Sequence, residues 1–356
     1  MKEGMDRRGF MRRMGGVALG LGFGVSVFDG IYQRAAGESG KGETADHDRL
    51  MKGTVDFMGF RAKEITPNDE FYITSYSPKV PRIDGEKFRL RIEGLVENPY
   101  QLSLPELQSM QDKREYITLQ CIGNPVGGTA IGNALWEGVT LKKIMERARP
   151  KPGILKAAFF AEEGYTDSIP YDLALSPDVF LAHRMNGVPP PAEHGYPLRV
   201  IVPGIFGMKN VKWLSKIELT NHDFKGYWEK QGWSDSAVIP TMSEILMPMA
   251  GKEIPRGHYV IGGIAFAGKF GISRVEVSTD GGKTWNKADL KPPLSQWAWT
   301  LWRYDWSPTG KGSYTLKVRG IDRSGKVQES ASLLGRITGS YPDGARGIHA
   351  VDVTVT

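Results

Sequence analysis

A chain of 356 residues with one cysteine can form no internal disulfide, and a single thiol cannot by itself complete a zinc or iron–sulfur site. The sequence contains neither a Cys-x-x-Cys-His motif for covalent haem nor a Gly-x-Gly-x-x-Gly fingerprint for a dinucleotide, so neither cofactor is expected. The formal net charge is +6, but residues 1–36 hold six basic groups (Lys2, Arg7, Arg8, Arg12, Arg13, Arg34) and three acidic ones (Glu3, Asp6, Asp29), leaving +3 for the rest. With no basic run interleaved with aromatics, nucleic acid is excluded as a partner. There is no internal repeat. The most apolar run, Gly15 to Phe28, has about fourteen residues, short of the roughly twenty that cross a bilayer as a helix.

That run has no polar face and follows Asp6-Arg7-Arg8-Gly9-Phe10-Met11-Arg12. The combination resembles a twin-arginine signal, which implies export of a folded protein to the periplasm. Arg34-Ala35-Ala36 ends in small residues but carries Arg where another small one is expected. Cleavage near residue 36 and an uncleaved membrane tether therefore both stay open. Residues 37–47 are small and polar, the composition of a flexible tether, and 37–64 reads as linker and arm.

The remainder is long enough for two domains. From 65 to 239 the texture is α+β: Phe88 to Glu93 alternates as a half-buried strand, Leu104 to Met110 starts a helix with Pro105 in its first turn, and Leu141 to Arg147 has helical spacing. From 240 to 356 short alternating strands (259–266, 273–278, 298–304, 313–319 and 351–355) are separated by turns such as Asp280-Gly281-Gly282 and Arg323-Ser324-Gly325. This is the pattern of an all-β, immunoglobulin-like sandwich. The stretch Ser234 to Gly257 shows no clear periodicity, and its Met242, Met247 and Met249 read as packing between domains rather than as a copper site.

The lone Cys121 ends the run Thr118-Leu119-Gln120 and enters a turn, Ile122-Gly123-Asn124, where backbone can approach a bound group closely. The following segment, Ala130 to Leu141, resembles the cofactor segment of the sulfite oxidase family of molybdopterin-dependent oxidoreductases. Further blocks stand in that family's order: Ser168-Ile169-Pro170-Tyr171, Met185-Asn186-Gly187, His194 to Arg199, Val202-Pro203-Gly204, Val211-Lys212-Trp213-Leu214 and Ser278 to Trp285. The resemblance implies a molybdopterin-binding domain followed by an immunoglobulin-like dimerisation domain, hence a homodimer. It also implies a molybdenum–molybdopterin cofactor with Cys121 as the single protein ligand to the metal.

By the same resemblance, His194, Arg199 and Lys212 are expected at the pterin and its phosphate. Asn210 and Val211 are expected to lend backbone donors, and Asp167 to accept from pterin nitrogens. Tyr72, Thr74, Ser75 and Tyr76 stand where the family contacts cofactor and substrate. Three departures touch substrate recognition: Thr74-Ser75-Tyr76 replaces the Arg-Asn-His triplet of sulfite-oxidising members, Pro125 replaces an Arg, and Phe224 replaces an active-site Tyr. Losing two cations and a phenol weakens recognition of a small dianion, since charge-assisted contacts are worth roughly 1.5–3 kcal/mol each. Lys209, Lys225 and Arg336 are cations that could substitute. The expected activity is oxygen-atom transfer on a small molecule other than sulfite, with Cys121, Thr74, Tyr76 and Phe224 around the chemistry. Reduction of an S-oxide or N-oxide on the same fold and an inactive exported binding protein are the alternatives. Electrons are expected to pass to or from a separate carrier, most simply a periplasmic c-type cytochrome.

Overall fold

Strands carry most of the architecture, and the helices are few and short. The computed structural model describes residues 54–331 and 339–356; the expected signal at 1–36, the tether at 37–47 and Arg336 lie outside the described residues. A hairpin, Thr54–Phe57 with Phe60–Lys63, precedes two sheets. The first is antiparallel, in the order Arg199–Ile201, Phe180–Met185, Ile131–Thr140, Lys113–Gln120. The second is mixed, in the order Tyr100–Ser103, Arg89–Gly94, Leu214–Thr220, Lys156–Ala161, Thr166–Pro170, with one parallel pair between Arg89–Gly94 and Leu214–Thr220.

The two expected helices form as Leu104–Ser109 and Leu141–Arg147. The first owes its start to a capping box: Ser103 Oγ accepts from Glu106 N, while the Glu106 carboxylate accepts from Ser103 N. Neither reaches three turns, so the α+β reading overstated the helical share of residues 65–239. The central strand Ile131–Thr140 is buried along nearly its whole length. Its Gly138 is required by contact, because a Cβ there would fall 1.8 Å from the carbonyl oxygen of Leu181 at the irregularity between the strands.

The C-terminal part holds a four-stranded sheet (Met242–Met247, Tyr259–Phe266, Thr300–Trp306, Asp289–Leu290) and a five-stranded one (Glu253–Ile254, His349–Val355, Gly312–Asp322, Ile272–Ser278, Asn286–Lys287). Val275, Val277, Leu316, Val318, Val351, Ile261 and Trp302 fill the core they share. Met242–Met247 is a strand that the aperiodic sequence concealed, because both faces of it meet protein. Met242 and Met247 pack against Phe60, Phe206 and Phe266 as expected, whereas Met249 is 76% exposed and packs nothing. The tryptophans of this part serve different layers. Trp302 lies in the sandwich core, Trp299 and Trp297 pack on the N-terminal layers, and Trp285 lies under Arg319.

Candidate active site

The strand Lys113–Gln120 delivers Cys121 to the rim of the first sheet. Cys121 N donates to Ala130 O and Asn124 N to Cys121 O, closing the turn. Asn124 then staples the loop, its Oδ1 accepting from Ala130 N at 2.9 Å and its Nδ2 donating to Gly128 O at 3.3 Å. Gly127 lies against the C-terminal part, since a Cβ there would meet His349 Nε2 at 2.4 Å. Burial pushes the Cys121 thiol up, opposed by the Gly123 and Asn124 N–H groups and the Thr74 hydroxyl, all of which point at the sulfur. The structure thus brings Thr74 directly to Cys121.

Tyr72 lies half-buried beside them. Its ring stacks on Phe71 at 5.3 Å, and its hydroxyl sits over Gly207, where a Cβ would come within 2.7 Å of it. Burial and the neighbouring Cys121 hold that phenol well above its ordinary value, with Arg199 opposing. Ser75 Oγ accepts from Lys212 Nζ at 2.6 Å, and Lys212 also donates to Glu193 O and lies over the Trp213 ring. Tyr76 is half-exposed, its ring against Tyr165 and Tyr227.

Arg199 is buried, stacked over Trp136 at 4.9 Å, and donates to the carbonyls of His194 and Asn210 at 3.0 Å each. Its Nε has no partner, and no carboxylate pairs with Arg199 or Lys212, among the described residues. Burial lowers Arg199 to about 10, and burial together with Arg199 lowers Lys212 to about 7. His194 Nε2 meets Asn68 O at 2.8 Å and its ring abuts Phe71; burial holds it neutral, at about 4. With Nε2 donating to a carbonyl, Nδ1 is left as an acceptor.

Three expectations fail on geometry. Asp167 is fully buried behind the site, accepting from Lys209 Nζ at 2.9 Å, Tyr165 Oη at 2.8 Å and Ser168 N at 2.7 Å, so its oxygens face inward. Asn210 has no backbone donor to lend: its N–H bonds Gly207 O, while its side chain ties Val202 N, Ile205 O and Phe206 O. Val211, buried next to it, is the one of the pair that keeps a backbone donor among the described residues. Phe224 packs with Phe160 at 5.6 Å and His222 at 6.1 Å, and its recorded contacts among the described residues do not include Cys121. The substitute cations are also engaged. Lys209 is closed in by Asp167, Glu229 and Asp235, and Lys225 by Asp223 and Asp235.

Sequence reasoning missed Glu163. Its Oε2 is buried with no partner among the described residues, and burial raises its carboxyl against the pull of Lys212. The paired acids Glu162-Glu163 ahead of the turn glycine Gly164 were the available signal. Beside the Cys121 loop lies a small, partly open cleft lined by Gln120, Asn124, Pro125, Gly127, Gln328 and Arg346, among others. Gln120 Oε1 is another buried atom without a partner there, and Arg346 pairs with Glu329.

The model of the oxidoreductase molybdopterin binding domain matches residues 77–228, and that of the Mo-co oxidoreductase dimerisation domain matches 235–342. Sulfite oxidase of Gallus gallus is 33% identical over 312 residues, covering 74% of this chain and 68% of that protein. Mitochondrial sulfite oxidase of Homo sapiens is 32% identical over 312 residues, covering 74% of this chain and 57% of that protein, so little more than half of the human protein's length is represented here. The crystal structure of the sulfane dehydrogenase SoxCD from Paracoccus pantotrophus shares the fold, with a TM-score of 0.67 at 23% identity over 90% of this chain and 94% of that one. The chain belongs to the sulfite oxidase family of molybdopterin-dependent oxidoreductases.

Proposed function

We propose that this chain is an exported molybdenum oxidoreductase exchanging an oxygen atom with a small substrate other than sulfite. The observation that supports it best is the donor set. Two cations without carboxylate partners among the described residues, the buried Arg199 and the half-buried Lys212, lie close together, Lys212 beside Glu163 with its buried, unpartnered Oε2, and a backbone-cradled thiol belongs to the same region. A ligand that is anionic at one end, carries N–H donors and presents a soft metal matches all of these, as a molybdenum pterin phosphate does. Bound there, it supplies two-electron oxygen-atom exchange.

In this reading Cys121 is the sole protein ligand to the metal. Arg199 and Lys212 hold the phosphate and pterin, Val211 N–H and His194 Nδ1 orient the ring system, and Glu163 takes the acceptor role expected of Asp167. Thr74, Ser75, Tyr72 and Tyr76 form the wall beside the thiolate. The substrate assignment rests on charge. Thr74 and Pro125 put no cation beside Cys121, Lys209 and Lys225 are neutralised by carboxylates, and Arg346 is paired. Such a wall suits a neutral or weakly anionic substrate, and equally an S-oxide or N-oxide as oxygen donor. The proposal also carries periplasmic location, a c-type cytochrome as electron partner, a 65–239 cofactor domain, and a homodimer formed through an immunoglobulin-like domain at 240–356.

Metal and pterin analysis of the purified protein, then kinetics with sulfite, sulfoxides and N-oxides, tests this reading. Molybdenum near one equivalent with poor sulfite oxidation is expected. A sulfite kcat/KM of about 10⁴ M⁻¹s⁻¹ or more, in the ordinary enzymatic range, would overturn the substrate assignment.

A further inference from the structure

An unbroken series of oxidisable rings leaves the active site. Tyr76, two residues beyond Thr74, lies 4.8 Å from Tyr227 and 5.8 Å from Tyr165 between ring centroids. Tyr165 is 6.4 Å from Tyr227, Tyr227 5.0 Å from Trp228, Trp228 6.3 Å from Trp233, and Trp233 5.2 Å from Tyr341. Only the half-buried Tyr341 lies beyond residue 331, and its hydroxyl sits against Gly232, where a Cβ would meet it at 2.3 Å. The glycines at both ends of Tyr227–Lys230 keep the series tight. Gly226 packs on the backbone of Thr166 and Asp167 at distances a Cβ would violate.

Two features separate this series from ordinary aromatic packing. The Tyr165 hydroxyl donates to a fully buried carboxylate, Asp167 Oδ2, at 2.8 Å, so a phenol losing an electron has a base in place for its proton. Trp233 Nε1 is buried with no acceptor among the described residues. An oxidised Trp233 therefore keeps its proton and remains able to take an electron back from the next ring.

We propose that Tyr165 is a redox-active tyrosine connected through Tyr227, Trp228 and Trp233 to Tyr341, protecting Cys121 from one-electron oxidants. An oxidant in the pocket takes one electron from Tyr165, whose phenolic proton passes to Asp167 Oδ2. The products are the reduced oxidant, a neutral tyrosyl radical and a protonated Asp167. An external one-electron reductant acting at Tyr341 restores Tyr165 through the same rings, and the proton returns from Asp167. Lys209, Glu229, Asp235 and Ser168 N–H surround the Asp167 carboxylate and hold its charge in either state.

The test needs neither turnover nor substrate. In the full-length Cys121→Ser chain, a ruthenium polypyridyl photo-oxidant is attached through Asp343→Cys, next to Tyr341, and oxidised by flash and quench. A tyrosyl radical, followed by optical absorption and electron paramagnetic resonance, is expected. It should be lost in Tyr165→Phe and delayed in Trp228→Leu and in the better-packed Trp228→Phe, each checked for native melting. A radical of undiminished yield in Tyr165→Phe, or the same rise time in both Trp228 variants as in the parent, overturns the proposal.

Discussion

The cations between Arg199 and Lys212, buried or half-buried, are treated in opposite ways. Lys209, 1% exposed, is surrounded by Asp167, Glu229 and Asp235, and these carboxylates raise it well above an ordinary lysine despite its burial. Lys212, three residues on, receives a hydroxyl and a carbonyl but no carboxylate, and burial with Arg199 nearby lowers it to about 7. A buried charge left uncompensated is costly, so its persistence in a folded chain marks a place completed by something else. Lys209 is compensated within the scaffold, while Lys212 and Arg199 have no carboxylate partner among the described residues, which is what the proposed anion site requires.

The largest effect expected is at the sulfur. Cys121→Ser should abolish turnover while leaving the melting temperature nearly unchanged, because a single atom changes and oxygen is a harder ligand for this metal. Full activity with molybdenum retained would remove Cys121 as the essential ligand.

Lys209→Met comes next and breaks the comparison from the scaffold side. It leaves Asp167 and Glu229 without their cation while Asp235 keeps Lys156 and Lys225, and removing one partner of a buried pair costs about 3–5 kcal/mol. Urea unfolding of the cofactor-free chain should show a loss of that size, largely restored in Lys209→Arg. Lys212→Met should leave cofactor-free stability unchanged or raised. Its cost appears in cofactor retention, roughly ten- to hundredfold weaker for one lost charge-assisted contact, read by pterin fluorescence after dialysis. A stability loss in Lys212→Met equal to that in Lys209→Met would erase the distinction.

The same contrast has a pH signature. Between about 7 and the ordinary lysine value of 10.5, the unfolded chain holds a proton at residue 212 that the folded cofactor-free chain does not. Stability of the cofactor-free chain therefore rises with pH across that window, and the penalty is fully present below about 7. Lys212→Met should remove this slope. Anion binding demands the charged form, so cofactor affinity should fall as pH climbs above about 7.

How much of this was legible in the sequence follows the physics of each element. Alternating strands such as Tyr259–Phe266 and the capped helix Leu104–Ser109 carry local signals and formed as read. Met242–Met247 did not, because a strand with protein on both faces has no polar side to alternate with. Within the candidate site, the motif blocks point to the Cys121 turn and to Arg199, and the structure closes that turn and buries that arginine. Which of the acids in Glu163 to Asp167 faces the pocket is decided by tertiary contacts, and Lys209 draws Asp167 inward. No spacing rule contains that information.

The smallest effect is expected at Phe224, which belongs with the scaffold region although its sequence position suggested the active site. Ser168 Oγ donates to Phe224 O at 2.8 Å, and its ring rests on Phe160 and His222 with Lys230 Nζ 5.5 Å away. The next residue, Lys225, is held by Asp223 and Asp235 on that same side. A hydroxyl added by Phe224→Tyr therefore meets the half-exposed edge of this cluster and not the Cys121 sulfur. Stability should change by less than about 0.5 kcal/mol, the range for substitutions away from special contacts. Sulfite kcat/KM should stay at the parental value, while Thr74→Arg, whose position touches Cys121, should move it. A rise of about tenfold or more in Phe224→Tyr, equivalent to 1.36 kcal/mol in the barrier, would place Phe224 at the chemistry after all and blur the line between the two regions.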